Sequence, residues 1–445
     1  MSPLNIIFSQ NWHFNIFYTL MLILVASLPF THLLVIPIAI LMFLNWIWEW
    51  NWKEKWMNVK DHKATLVFIL SAALFLIPLY GILISTNKMH ALLTVETYLW
   101  FLLAPLFLLT YASTLLTHER IRILLVLFSI STIFLSLFVF GDALVAKLQN
   151  GGNDFSFYLH ISEHYHPSYL SLYMSLTIFL MLFDWKTRRR QLHIVVKIIY
   201  GAIILFLYAA IICASSKAGI IIILALCLYW IFFLFKKWKY RILGLLLFIA
   251  MNTAFGAALY HFKATPFIRV NNALTVIKNF EINNTYSYTS SGIRLTVWRS
   301  AWEVAKDNHF LGTGTGDLDK DLVMNAELKG YKNLIGHHYN AHNQWLQALT
   351  TSGIIGFLIV LAYTLFPLIY GIRKRDVLYI TFSLLTIGNL LVESMFERKM
   401  GAVFIALFFV LLYVRIPKQE LIFNLGTDEE TADTTPAPQS PSPEE

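Results

Sequence analysis

Three side chains define the chemistry this chain could perform: Lys217, Arg294 and His342. Arg294 falls in the first turn of a helix expected after Ser290-Ser291. The free N–H groups and dipole at such a helix end attract phosphate, and a guanidinium adds paired hydrogen bonds. Lys217 sits between two apolar runs, in Ala214-Ser215-Ser216-Lys217-Ala218-Gly219. Charges kept at the mouth of a helix bundle commonly mark a substrate path. His342 stands where a polar interval gives way to Gln344-Trp345-Leu346. A neutral imidazole there could take the proton of a sugar hydroxyl, with Asn343 beside it to orient the ring or the hydroxyl. Each residue also has a plainer reading. These are a solvated helix-face arginine, a snorkelling lysine, and a helix-start histidine bonded to an orphan backbone group.

The neighbouring motifs carry less. His337 and His338 with His342 lack a thiolate and a convincing fourth ligand, so no metal site is expected. Gly312-Thr313-Gly314-Thr315-Gly316 lacks the Lys-Ser/Thr ending of a phosphate loop and reads as a turn. His160, His164 and His166, ahead of an apolar run, could line an acceptor path, although an interfacial belt of Tyr and His is the plainer reading. Glu393, Glu397 and Arg398 read as an internal ion pair that supports the long polar interval.

The elements that must position these residues follow from composition. Of 445 residues, 57% are hydrophobic and 13% are charged. A soluble chain would carry roughly twice that charged fraction. The apolar residues fall in blocks of about 17–25, the length of a membrane-spanning helix. An all-α polytopic membrane protein is therefore expected, with about twelve spans near 14–30, 31–49, 64–84, 91–113, 121–141, 166–183, 193–213, 218–235, 241–261, 346–370, 376–395 and 400–416. The first span has no Lys or Arg ahead of it and no cleavage site after it, so it reads as a retained helix. Cys213 and Cys227 lie inside apolar blocks and read as core fillers. The net charge of +8 does not point to nucleic acid, because the basic residues lie in short connectors between spans.

With the N-terminus inside, the inner connectors hold nineteen Lys and Arg. The short outer ones hold five: Lys88, Lys147, Lys217, Arg398 and Lys399. Both termini should then be cytoplasmic and the long interval periplasmic. The expected organisation is spans one to nine over 1–261, a periplasmic loop over 262–343, spans ten to twelve over 344–416, and a disordered cytoplasmic tail over 417–445. A loop of this length should hold its own helices. One is expected from about Gly292 to Asp307, capped by Ser290-Ser291, with Leu295, Trp298, Trp302 and Ala305 on one face. A second should run from Asp317 to Gly330, and Asn340 or Asn343 should cap a third that continues into span ten.

Lys217, Gly292-x-Arg294, Trp298, Leu311-Gly312-x-Gly314, His342-Asn343-x-x-Leu346 and Gly353-x-x-Gly356, in this order and spacing, resemble the bacterial O-antigen ligase and polymerase superfamily. The resemblance is strongest over about 165–415. It implies transfer of a glycan from undecaprenyl diphosphate to a hydroxyl on the outer face of the inner membrane, with no metal and no other cofactor. For a ligase the acceptor is the lipid A core oligosaccharide. The resemblance implies that Lys217 and Arg294 contact substrate and that His342 and Arg294 act in the transfer. Asn343, beside the ring, is counted with the substrate-binding residues, and direct attack by the acceptor would invert the anomeric centre. The family usually has Arg where this chain has Lys217, which keeps the charge but not the paired hydrogen bonds. A polymerase or a protein O-oligosaccharyltransferase of the same superfamily fits the same residues. A lipid-linked glycan transporter fits less well, because the apolar runs contain almost no buried charge.

Overall fold

The computed structural model describes residues 11–61, 64–112, 115–150, 160–162, 165–188, 190–261, 265–278 and 288–416. Among them are sixteen α-helices and no strand. The helices are α1 Trp12–Ser27, α2 Val35–Trp48, α3 Trp52–Asp61, α4 Thr65–Ile84, α5 Lys88–Thr110, α6 His118–Asn150, α7 Pro167–Arg188 and α8 Ile194–Cys213. They continue with α9 Lys217–Leu234, α10 Trp238–His261, α11 Thr265–Lys278, α12 Ser290–Asp307, α13 Leu318–Lys329, α14 Gln344–Lys374, α15 Val377–Leu390 and α16 Lys399–Arg415. Eight are long and apolar enough to cross a bilayer, and α1, α2 and α15 are shorter apolar helices. The twelve expected spans all fall on helices. Two further helices, α3 and α11, lie where only connector or loop was expected. His164 and the proposed tail lie outside the described residues.

The bundle is organised around its last helix. Every residue of α16 from Gly401 to Val414 is buried, against α5, α6 and α15 among others. At the other extreme, α10 buries no residue and stands at the rim. Its apolar surface is the kind that lipid covers. Prolines inside α4, α5 and α14 are tolerated because neighbouring helices and hydroxyls can re-satisfy the freed backbone groups in a membrane.

The polar interval folds into a small core of its own, with Val297, Ala301, Leu318, Leu322, Ala326, Tyr331 and Leu334 buried together. The cap of α12 is Thr289, whose hydroxyl accepts from Gly292 N at 3.2 Å, so Ser290 is already helical. The buried face of α12 also differs from the expected one. Gly292, Thr296, Val297, Ser300, Ala301, Val304 and Ala305 face inward, while Trp302 is 51% exposed. Small residues let α12 approach α14 closely enough for Thr350 Oγ1 to donate to Ala301 O at 3.2 Å. A face of tryptophans would hold the helices apart. Asp317 precedes α13 as expected, but its side chain caps nothing there. It accepts instead from Thr86 N, Thr86 Oγ1 and Asn87 N at 2.5, 2.7 and 2.9 Å, which ties the interval to the α4–α5 connector.

Helix α14 is two helices end to end. At Gly353 the backbone takes φ 67° and ψ −163°, a conformation open essentially to glycine alone. The broken ladder is repaired from outside: Thr313 N and Gly314 N donate to Thr350 O and Thr351 O, both at 2.9 Å, and Ile354 N donates to Phe310 O at 2.9 Å. The glycine-rich turn is thus a plug in a helix break. A Cβ on Gly353 would lie 2.4 Å from Phe310 O, and one on Gly314 would lie 2.3 Å from Ser85 Oγ. Gly353→Ala combines backbone strain with this overlap, for an expected cost of several kcal/mol, about 2–5. The expected result is loss of folded protein from detergent extracts, read by size-exclusion chromatography. A wild-type elution profile would contradict this account of the break.

Candidate functional site

The site forms where the start of α12, the start of α14 and the connector after α15 come together. Arg294 and Trp298 are one turn apart on α12 and reach the same way. Trp298 Nε1 donates to His342 O at 3.2 Å, and His342 N donates to Asn340 Oδ1 at 3.0 Å. These bonds hold His342 at φ 46°, a left-handed conformation uncommon outside glycine. Two residues later α14 begins, with Asn343 as its cap, the side chain accepting from Leu346 N at 3.0 Å. The cap fixes where the helix starts and therefore where His342 stands.

Glu393 joins the parts. Its side chain is only 7% exposed. One oxygen lies 3.2 Å from Arg294 Nη2 and the other 3.1 Å from His342 Nδ1. Arg294 Nε also donates to Val392 O at 3.2 Å. Burial pushes the Glu393 carboxyl up, but the His342 hydrogen bond and the charges of His342, Arg294 and His166 outweigh it and hold the pKa at about 2. An ionised carboxylate can only accept, so His342 Nδ1 must carry the proton. When the ring is neutral, Nε2 is the free acceptor. His166, just ahead of α7, faces the same cluster. Burial lowers its pKa, opposed by Glu393 and assisted by Arg294, His342 and Arg398.

The depressed carboxyl has a pH signature. A group held near 2 against an ordinary 4.5 adds stability that is complete above about 4.5 and is lost as pH falls toward 2. Protection of residues 288–297 from hydrogen exchange is therefore expected to hold at pH 5 and to weaken below about 4.5. Glu393→Gln should flatten that dependence. The same acid profile in the Gln variant would show that Glu393 is not its source.

Lys217 lies at the second edge of the site. Its Nζ is 2.6 Å from Ser291 Oγ and 3.3 Å from Ser290 Oγ, so the N-termini of α9 and α12 meet there. Arg294 Nη1 reaches Ser290 O at 3.4 Å, and Arg269 on α11 lies within electrostatic reach of Lys217. Among the described residues no carboxylate lies within ion-pair distance of Lys217. Two helix N-termini and at least two cations therefore border one space, a setting suited to a phosphate or diphosphate.

Lys217, Arg294 and His342 thus gather with Glu393 and His166 where Asn343 caps α14, while His337, His338, His160 and Glu397 have partners of their own. His338 pairs with Asp319 on α13 at 3.1 Å and its side chain is 71% exposed. His337 packs beside Tyr339. His160 pairs with Asp142 at 2.7 Å. Glu397 accepts from Tyr98 Oη at 2.8 Å and stands beside Gln344 rather than pairing with Arg398. Among the described residues no three His, Cys, Asp or Glu side chains gather as metal ligands would. Reading Glu393 as an ion-pair partner for the polar interval identified its kind of contact but not its two partners, 99 and 51 residues away. The available signal was a carboxylate at the end of an apolar run, which is costly unless it is paired.

Residues 201–361 match the family model described as O-antigen ligase. That stretch runs from α8 into α14 and includes Lys217, Arg294, His342 and Asn343. Comparison with curated proteins finds no match.

Proposed function

From membership of the O-antigen ligase superfamily, carried by residues 201–361, we propose that this chain is the ligase itself. It moves a glycan from undecaprenyl diphosphate to a hydroxyl of the lipid A core oligosaccharide, on the periplasmic side of the inner membrane. The observation that carries this reading is the Glu393 bridge, which holds a guanidinium and an imidazole at one mouth beside Lys217.

Arg294, Lys217 and the two helix ends receive the diphosphate and neutralise the charge that grows on it as the sugar–oxygen bond breaks. The acceptor oxygen attacks the anomeric carbon from the opposite side, inverting it, while Nε2 of His342 takes its proton. Glu393 stabilises the resulting imidazolium. Asn343 keeps the ring in register through its cap. Diphosphate is already a good leaving group with cationic partners, so the reaction requires no metal.

The test is the lipopolysaccharide ladder of a deletion strain. A ligase null loses all polymer on the core, whereas a null of the related polymerase keeps a single repeat. A single-repeat band would replace the ligase reading with the polymerase one. The orientation rests on the Lys and Arg distribution, and a reporter fused near Lys329 should read periplasmic.

A further inference from the structure

We propose that the groove between α6, α7 and α8, at the end of the bundle away from Arg294, binds an anionic glycerophospholipid of the opposite leaflet. His166 marks the site end of α7 and Asp184 the groove end, roughly 27 Å apart along the helix at 1.5 Å per residue. That is about the hydrocarbon thickness of a bilayer. The groove encloses about 530 Å³, a volume typical of ligand pockets. Its inner wall is apolar, and Val126 and Ile130 on that wall are 39% and 44% exposed, so it is open from the side of the hydrocarbon.

The mouth carries the charge. Arg122, Arg188 and Arg415 line it, against Asp184 and Glu119. Asp184 is already heavily used. It accepts from Arg122 Nε at 3.2 Å and from Tyr200 Oη at 3.1 Å, and lies 3.7 Å from Arg188 Nε. One carboxylate cannot satisfy two guanidinium groups, each with five N–H donors. Glu119 is 65% exposed and 3.9 Å from Arg122, a pairing weakened by water. Arg415 pairs with Asp376, whereas the Arg122 and Arg188 side chains stay 41% and 34% exposed at the mouth. Their remaining N–H donors call for an acceptor. A phosphodiester supplies one, and its acyl chain covers the apolar wall beneath. Basic pockets between membrane helices bind anionic headgroups in this way. A soluble anion would leave the wall bare, and a zwitterionic lipid would bring its own cation to the arginines.

The test uses the full-length protein in detergent, titrated with phosphatidylglycerol or with phosphatidylcholine of the same chains, and read by native mass spectrometry and thermal unfolding. Phosphatidylglycerol should be retained and should raise the unfolding temperature, and phosphatidylcholine should do neither. Retention should weaken about tenfold or more in Arg122→Ala/Arg188→Ala, which removes the charge-assisted contacts. Should that variant fail to fold, Ile130→Trp decides: it fills the groove at a lipid-exposed position, leaves the charges in place, and should also abolish retention. Equal retention of both lipids, undiminished phosphatidylglycerol binding by Ile130→Trp, or selective capture of added polyprenyl phosphate would each overturn the proposal.

Discussion

Replacing His342 by alanine should lower transfer by about 10²–10⁴-fold, the usual worth of a positioned general base, while leaving donor binding nearly intact. The split follows from geometry. The cations proposed to receive the diphosphate, Arg294 and Lys217, stand on α12 and α9, and the imidazole stands on the lead-in to α14. Removing the ring also frees one oxygen of Glu393, but the other keeps its 3.2 Å contact with Arg294. His338→Ala is the control, since that side chain is solvent-exposed and paired with α13. Single-turnover kinetics with saturating donor separates the two roles. Should the alanine variant bind donor poorly and turn over bound donor normally, His342 would be a binding group and the base would lie elsewhere.

Arg294→Ala should cost at least about 10²–10³-fold in kcat/KM, the scale of losing one preorganised donor to a developing anion. The loss should appear in both donor affinity and turnover. Arg294→Lys should recover only part, because an ammonium restores the charge but not the planar pair of donors. The same guanidinium also ties α12 to Val392 and Glu393, so membrane abundance and hydrogen-exchange protection of α12 must be measured alongside. Full activity of the alanine variant at wild-type abundance would remove Arg294 from the reaction.

The sequence carried the features whose signals are local. Span positions follow from block length. The end of α13 at Gly330 follows from a glycine at φ 73°, and the start of α14 follows from Asn343 as a cap. Two features escaped because each depends on a partner elsewhere in the chain, and a third because it is short. The inward face of α12 was set by how closely α14 must approach, not by hydrophobicity, so Trp302 points outward to lie 5.5 Å from Phe310. The break at Gly353 leaves no mark in an unbroken apolar run, since its repair comes from Phe310 to Gly314. Helix α3, with Trp52, Trp56, Lys53 and Lys60, has too little apolar length to register as a span. The candidate site was legible by residue type, through Lys217, Arg294 and His342. The carboxylate that sets the geometry of Arg294 and His342 was not legible as their partner, because only the packed bundle brings Glu393 to both.

The burial of α16 on all sides has a consequence for how the molecule is made. Chains are synthesised from the N-terminus, and their segments fold in that order. Here the helix that fills the centre leaves the ribosome after all the helices that surround it. The earlier helices therefore cannot complete their packing until α16 inserts. Glu393 also emerges late, so neither core nor site exists in a partial chain. A truncation before Lys399 would yield a bundle without a middle rather than a smaller version of the protein, and membrane quality control should treat it as unfinished.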